Sequence, residues 1–149
     1  MIDAREEVRM TAVELTRTFK AAPETVWRAF TDSVALAGWF WPARLSPRAE
    51  TDVRVGGRYR IATAIARTAS SSISGEYLEV QPPERLVFTW CWQGDDATSR
   101  VTVELADGDE GTEMSLRHDE LVDEEDSEAR DRGWRDSLDR LPDWLSTAG

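Results

Sequence analysis

The chain has 149 residues, 29 acids against 18 bases for a net charge of −11, one cysteine and seven tryptophans. That length suits one domain with a core large enough to need neither disulfide nor metal, and Cys91 alone cannot form an intramolecular disulfide. The acidic balance argues against nucleic acid and anionic membrane as partners, since Lys and Arg supply that affinity, and no run approaches the roughly 20 apolar residues of a membrane span. Residues 1–10, with Asp3, Glu6 and Glu7, lack the apolar centre of a signal peptide. The expectation is an N-terminal tail over 1–10, one domain over 11–149 and a cytoplasmic location.

Val13, Leu15 and Phe19 alternate with polar residues, the period of a half-buried strand. Arg17 falls on its apolar face, so it must pair with an acid or meet a wet cavity. Pro23 and Glu24 open a short helix whose apolar residues are Val26, Trp27 and Phe30. Thr31 or Asp32 caps a second helix that Gly38 and Pro42 end. Trp39-Phe40-Trp41 follows, and three consecutive rings cannot all face one way.

From Ala43 the period is two. Tyr59, Ile61, Thr63 and Ile65 share one face of a strand after a Gly56-Gly57 turn, and residues 69–72 read as a loop. Gly75 to Val80 is a strand closed by Pro82-Pro83. Leu86, Phe88, Trp90 and Trp92 share a face of the next, and Gly94-Asp95-Asp96 is a turn. Val101, Val103 and Leu105 alternate before a hairpin at 107–111, and Met114, Leu116 and His118 line the last strand. Trp134, Leu138, Leu141 and Leu145 then mark an amphipathic helix of about 20 residues from near Asp126, with a kink or break expected at Pro142. The order β-α-α-β6-α gives an α+β helix-grip fold: a curved antiparallel sheet wrapped around a long C-terminal helix.

That order carries several local strings: Arg17-Thr18-Phe19, Ala22-Pro23-Glu24-Thr25-Val26-Trp27, Phe30-Thr31-Asp32, Gly38-Trp39-Phe40 and residues 52–59. Gly75-Glu76-Tyr77-Leu78-Glu79-Val80 with Pro82 and Pro83 is the strongest. Leu86-Val87-Phe88-Thr89-Trp90, Gly111-Thr112, His118, Gly133-Trp134 and Leu138 complete the set. Over roughly residues 11–146 the chain resembles the family named after the activator of the heat-shock protein ninety ATPase, within the START-like (SRPBCC, birch-pollen-allergen-like) superfamily. Pro142 and the acidic run 119–128 depart from the pattern. The resemblance implies a cavity beneath the long helix that in relatives takes lipids, hormones or polyketides, with a minority of cyclases, aromatases and hydrolases.

Chemistry is sparse. One Cys and one His cannot supply a zinc site, and the acids at 107–113 lack the calcium-loop pattern. No nucleophile–base spacing is visible, so no catalytic residue, metal or cofactor is assigned. Strand parity converges Tyr59, Ile61, Phe88, Trp90, Trp92, Met114, Leu116 and His118 on the concave face, with Trp134 and Leu138 from the helix. Arg17, Tyr77, Tyr59 and His118 are the polar groups available to orient a ligand there. The leading reading is a binding module for a small hydrophobic ligand, lipid-like or aromatic. The alternatives are a co-chaperone-like module with a protein partner at Trp39–Trp41, and a cyclase- or hydrolase-type enzyme using His118, Tyr59 or Arg17. Monomer and homodimer both fit the sequence.

Overall fold

The computed structural model describes residues 12–63 and 71–148; the tail over 1–10, Ile65 and the first half of the expected 69–72 loop lie outside them, and Ser72 already belongs to a strand. Strand β1 (Val13–Phe19) is followed by helices α1 (Pro23–Thr31) and α2 (Ser33–Trp39) and a short 3-10 turn (Ala43–Leu45). Strands β2 (Arg48–Thr51), β3 (Arg58–Ala62), β4 (Ser72–Gln81), β5 (Arg85–Trp92), β6 (Ser99–Gly108) and β7 (Gly111–Asp119) form a meander, and helix α3 (Glu124–Ala148) ends the chain. The spatial order is β1-β7-β6-β5-β4-β3-β2 with every neighbouring pair antiparallel. The first strand thus closes the sheet beside the last, and the two short helices carry the chain from one sheet edge to the other.

Local chemistry explains the helix ends. Pro23 occupies the first turn of α1, where its missing N–H costs nothing, and Glu24 sits where the helix dipole favours an anion. The Asp32 carboxylate caps α2 by accepting from the Ala35 N–H at 3.0 Å. Gly38 does not end this helix; it lies inside it, and a Cβ there would meet Trp144 Nε1 at 2.5 Å. Its bare backbone therefore lets α3 approach α2. Helix α3 runs through Pro142 for 25 residues rather than breaking there, and starts earlier than periodicity predicts because acids fill its first turn.

Trp134, Leu138, Leu141 and Leu145 of α3 pack into one core with the inward residues of the sheet, including Leu15, Phe88, Trp90, Val101, Met114 and Leu116. Two irregularities shape that sheet. Register shifts in β4 between Tyr77 and Glu79, so inward parity passes from Tyr77 to Val80. At Gly75 the β4 and β5 backbones come unusually close, a Cβ there lying 1.9 Å from the Thr89 carbonyl oxygen. The Thr89 carbonyl accepts from the Tyr59 hydroxyl at 2.6 Å, and the Thr89 hydroxyl accepts from the Glu76 N–H at 2.9 Å. No helix among the described residues is long and apolar enough to cross a membrane.

Candidate functional site

Rings from both sides of the fold meet beneath α3. Phe40, at the end of α2, packs against Trp90 of β5 at 6.0 Å and Trp134 of α3 at 5.7 Å, and those two indoles lie 5.4 Å apart. Tyr59, Tyr77 and Phe88 form a second ring cluster at 5.3–6.3 Å deeper in the sheet. Phe30, Leu36, Trp39, Ile61 and these rings enclose a chamber of only about 20 Å³, room for about one water. Burial pushes the Tyr59 and Tyr77 phenols up, so both stay neutral.

A groove of about 360 Å³ opens between α3 and the segment after α2 and shares Phe40, Trp90 and Trp134 with the chamber. Trp41 and Trp92 stand nearly parallel on it, 23° apart with centroids at 6.1 Å. The Arg130 guanidinium sits 4.9 Å over the Trp92 ring and 5.9 Å from that of Trp90. Burial lowers the Arg130 pKa, partly offset by Asp126. Gly133 faces the same groove with nothing within 4 Å of where a Cβ would stand. A larger depression of about 1020 Å³ lies near Thr16, Thr18, Arg85 and Glu104. It is wide open, and Arg85 there is already bound by Glu79 and Glu104, so it offers less to a ligand.

The expected site residues divide into three groups. Tyr59, Ile61, Tyr77, Phe88, Trp90 and Trp134 line the chamber, and Trp92 lines the groove. Met114, Leu116, His118 and Leu138 are fully buried in the core outside either lining. Arg17 pairs with Asp139 of α3 at 3.5 Å and borders the larger depression rather than the groove. In the aromatic run, Trp39 and Phe40 are buried, Trp39 donating to the Ala29 carbonyl at 2.8 Å; only Trp41 reaches the surface. The run is therefore not an exposed face.

His118 is locked. Its Nδ1 lies 3.0 Å from Trp134 Nε1 and its Nε2 2.7 Å from the Ser99 hydroxyl. An indole N–H can only donate, so Nδ1 is bare and the proton sits on Nε2, donating to Ser99. Burial, and secondarily Arg130, lowers the His118 pKa from 6.5 to about 3. With both nitrogens engaged and no solvent contact, the imidazole positions Trp134 and cannot reach a substrate proton.

This predicts acid sensitivity. The folded state keeps His118 neutral while the unfolded chain binds a proton below about 6.5, so the contribution is complete above that pH and is lost as pH falls toward about 3. Between pH 7 and 5 the protein should lose about 2 kcal/mol from this group. Urea melts at both pH values, compared with His118→Gln, isolate the effect; equal losses in both proteins would remove His118 as its source.

No curated protein matches the chain. Among solved structures, protein CV1439 from Chromobacterium violaceum is 32% identical, covering 91% of this chain and 97% of that one with a TM-score of 0.79. A Staphylococcus aureus protein of unknown function is 25% identical over 92% of this chain and 94% of its own, at a TM-score of 0.81. CalU16 from Micromonospora echinospora is 27% identical over 91% and 76%, at a TM-score of 0.70. The model of the "Activator of Hsp90 ATPase homolog 1-like protein" family matches residues 20–146, which takes in both short helices, strands β2 to β7 and the groove-bearing face of α3. The chain belongs to that family.

Proposed function

We propose that this protein binds a small hydrophobic molecule containing a flat ring, seated in the groove between α3 and the Trp41–Trp92 pair. The observation that carries this reading is the groove's construction: about 360 Å³ walled by Trp41, Trp90, Trp92 and Trp134, with Phe40, Trp90 and Trp134 as walls common to the ring-lined chamber. That volume falls in the range of small-molecule sites, which are mostly aromatic with few polar anchors. At about 20 Å³ the chamber accepts no ligand as it stands, so a ligand's first seat is the groove. The chamber opens only if Phe40 and Trp134 move apart. A protein-docking reading draws less support, because only Trp41 of the aromatic run is available to a partner.

Gly133 offers a clean test. A leucine there meets nothing within 4 Å at its Cβ and replaces a residue poorly suited to a helix interior, yet its side chain fills the groove. Gly133→Leu should therefore fold with equal or greater stability, by up to about 1 kcal/mol. It should also lose ligand response. The assay is calorimetric titration and melting temperature with a panel of bicyclic and tricyclic aromatics. Saturable binding in the parent, absent in Gly133→Leu, supports the groove. Binding that survives the leucine places the ligand elsewhere, and no binding by the parent ends the reading.

A further inference from the structure

We propose that the groove selects a planar aromatic carboxylate, its ring against Trp41 and Trp92 and its carboxylate on Arg130. This rests on the groove being the ligand seat and adds the charge of the ligand. Helix α3 repeats one ion-pair pattern three times, an aspartate four residues before an arginine. Asp131–Arg135 closes at 3.0 Å and Asp136–Arg140 at 2.8 Å, but Asp126–Arg130 stands at 3.6 Å. Arg140 is further committed to the carbonyls of Trp39 and Phe40. Arg130 is the most loosely held of the three: its side chain is only 17% exposed, and its buried Nε, 3.6 Å from Asp126, makes no hydrogen bond among the described residues.

A second buried donor lies beside it. Trp90 is 5% exposed, its ring borders both chamber and groove, and its Nε1 also lacks an acceptor among the described residues. Buried donors in a folded protein nearly always find an acceptor, and two together, 5.9 Å from guanidinium to ring, call for an oxygen-bearing group from outside the chain. A neutral carbonyl oxygen could accept from both but would bring no charge to the guanidinium. A carboxylate matches the planar guanidinium fork and adds charge-assisted hydrogen bonds that a neutral oxygen lacks.

Charge balance limits the anion. The groove's lining carries two arginines against one aspartate, and Asp126 stands 3.6 Å from Arg130 behind it, so positive charge there is scant in a protein of net charge −11. That suits a monoanion. A phosphate dianion would face an acidic surface with one loosely paired arginine and no lysine in the groove, since Lys20 is the only one in the chain. The Trp41–Trp92 arrangement supplies the flat walls that an aromatic ring needs.

The experiment compares 2-naphthoate with its neutral methyl ester by isothermal titration calorimetry on the full chain, using the parent, Arg130→Gln and Arg130→Lys. The parent should bind the carboxylate about tenfold or more tightly than the ester, the scale of one charge-assisted hydrogen bond. Arg130→Gln should remove about that factor for the carboxylate and change ester affinity by less than about threefold. Arg130→Lys should keep a preference for the carboxylate, and melting temperatures verify that both variants are folded. Equal affinity of the parent for both compounds, or unchanged carboxylate affinity in Arg130→Gln, overturns the charge assignment and leaves the groove standing. Binding of neither compound overturns both.

Discussion

His118→Ala should cost about 3–5 kcal/mol, a large part of the 5–15 kcal/mol that typically holds a domain together. The imidazole lies near the end of β7, between Val13 of β1 and Val101 of β6, and is completely buried. Two losses add. Removing the ring leaves a cavity that the surrounding aromatics, Trp90 at 4.9 Å and Trp134 at 6.3 Å, cannot collapse to fill. It also strips the Trp134 N–H of its acceptor and the Ser99 hydroxyl of its donor in a dry interior. Ser99 keeps only a long contact of 3.4 Å to the Trp90 carbonyl. His118→Gln offers Trp134 a carbonyl oxygen and should cost clearly less, about 1–2 kcal/mol. Urea unfolding with an unchanged slope measures both. Equal costs for the two variants would mean that cavity volume alone decides, and that the hydrogen-bonded relay has no weight.

How much of this was legible in the sequence depends on the range of the interaction. Alternation along β3, β5 and β7 put Tyr59, Ile61, Phe88, Trp90, Met114 and Leu116 on one face, and all are buried. Period two survives wherever a strand runs without a bulge. It fails in β4, where the shift after Tyr77 turns Val80 rather than Glu79 toward the core. The groove was less visible. Trp41 meets Trp92 only because the segment after α2 lies across the end of β5, and no local pattern joins the two residues. Arg130 was hidden by its own surroundings. In sequence it is one more arginine four residues after an aspartate, indistinguishable from Arg135 and Arg140. Only its position over Trp92 sets it apart. Arg17, which alternation did mark, proved to be a half-exposed partner of Asp139, and such a pair adds little.

Gly75→Ala should be severely damaging for a single methyl, at about 3 kcal/mol or more and roughly 10 °C in melting temperature. Most overpacking is relieved by a side chain turning aside, but here the obstacle is main chain: the Thr89 carbonyl oxygen at 1.9 Å and its carbon at 2.6 Å. Relief requires β4 and β5 to separate. That separation breaks the Tyr59 hydroxyl bond to the Thr89 carbonyl and the Glu76 N–H bond to the Thr89 hydroxyl. Tyr59 packs at 5.3 Å on Phe88, so the chamber loses one of its walls in the same movement. The sharpest comparison is Gly133→Ala, the same chemical change on open helix surface, which should raise the melting temperature slightly. If Gly75→Ala melted with the parent, the close approach of β4 to β5 would be a contact the sheet can relax at no cost. The Tyr59–Thr89 bond would then have no part in holding the chamber closed.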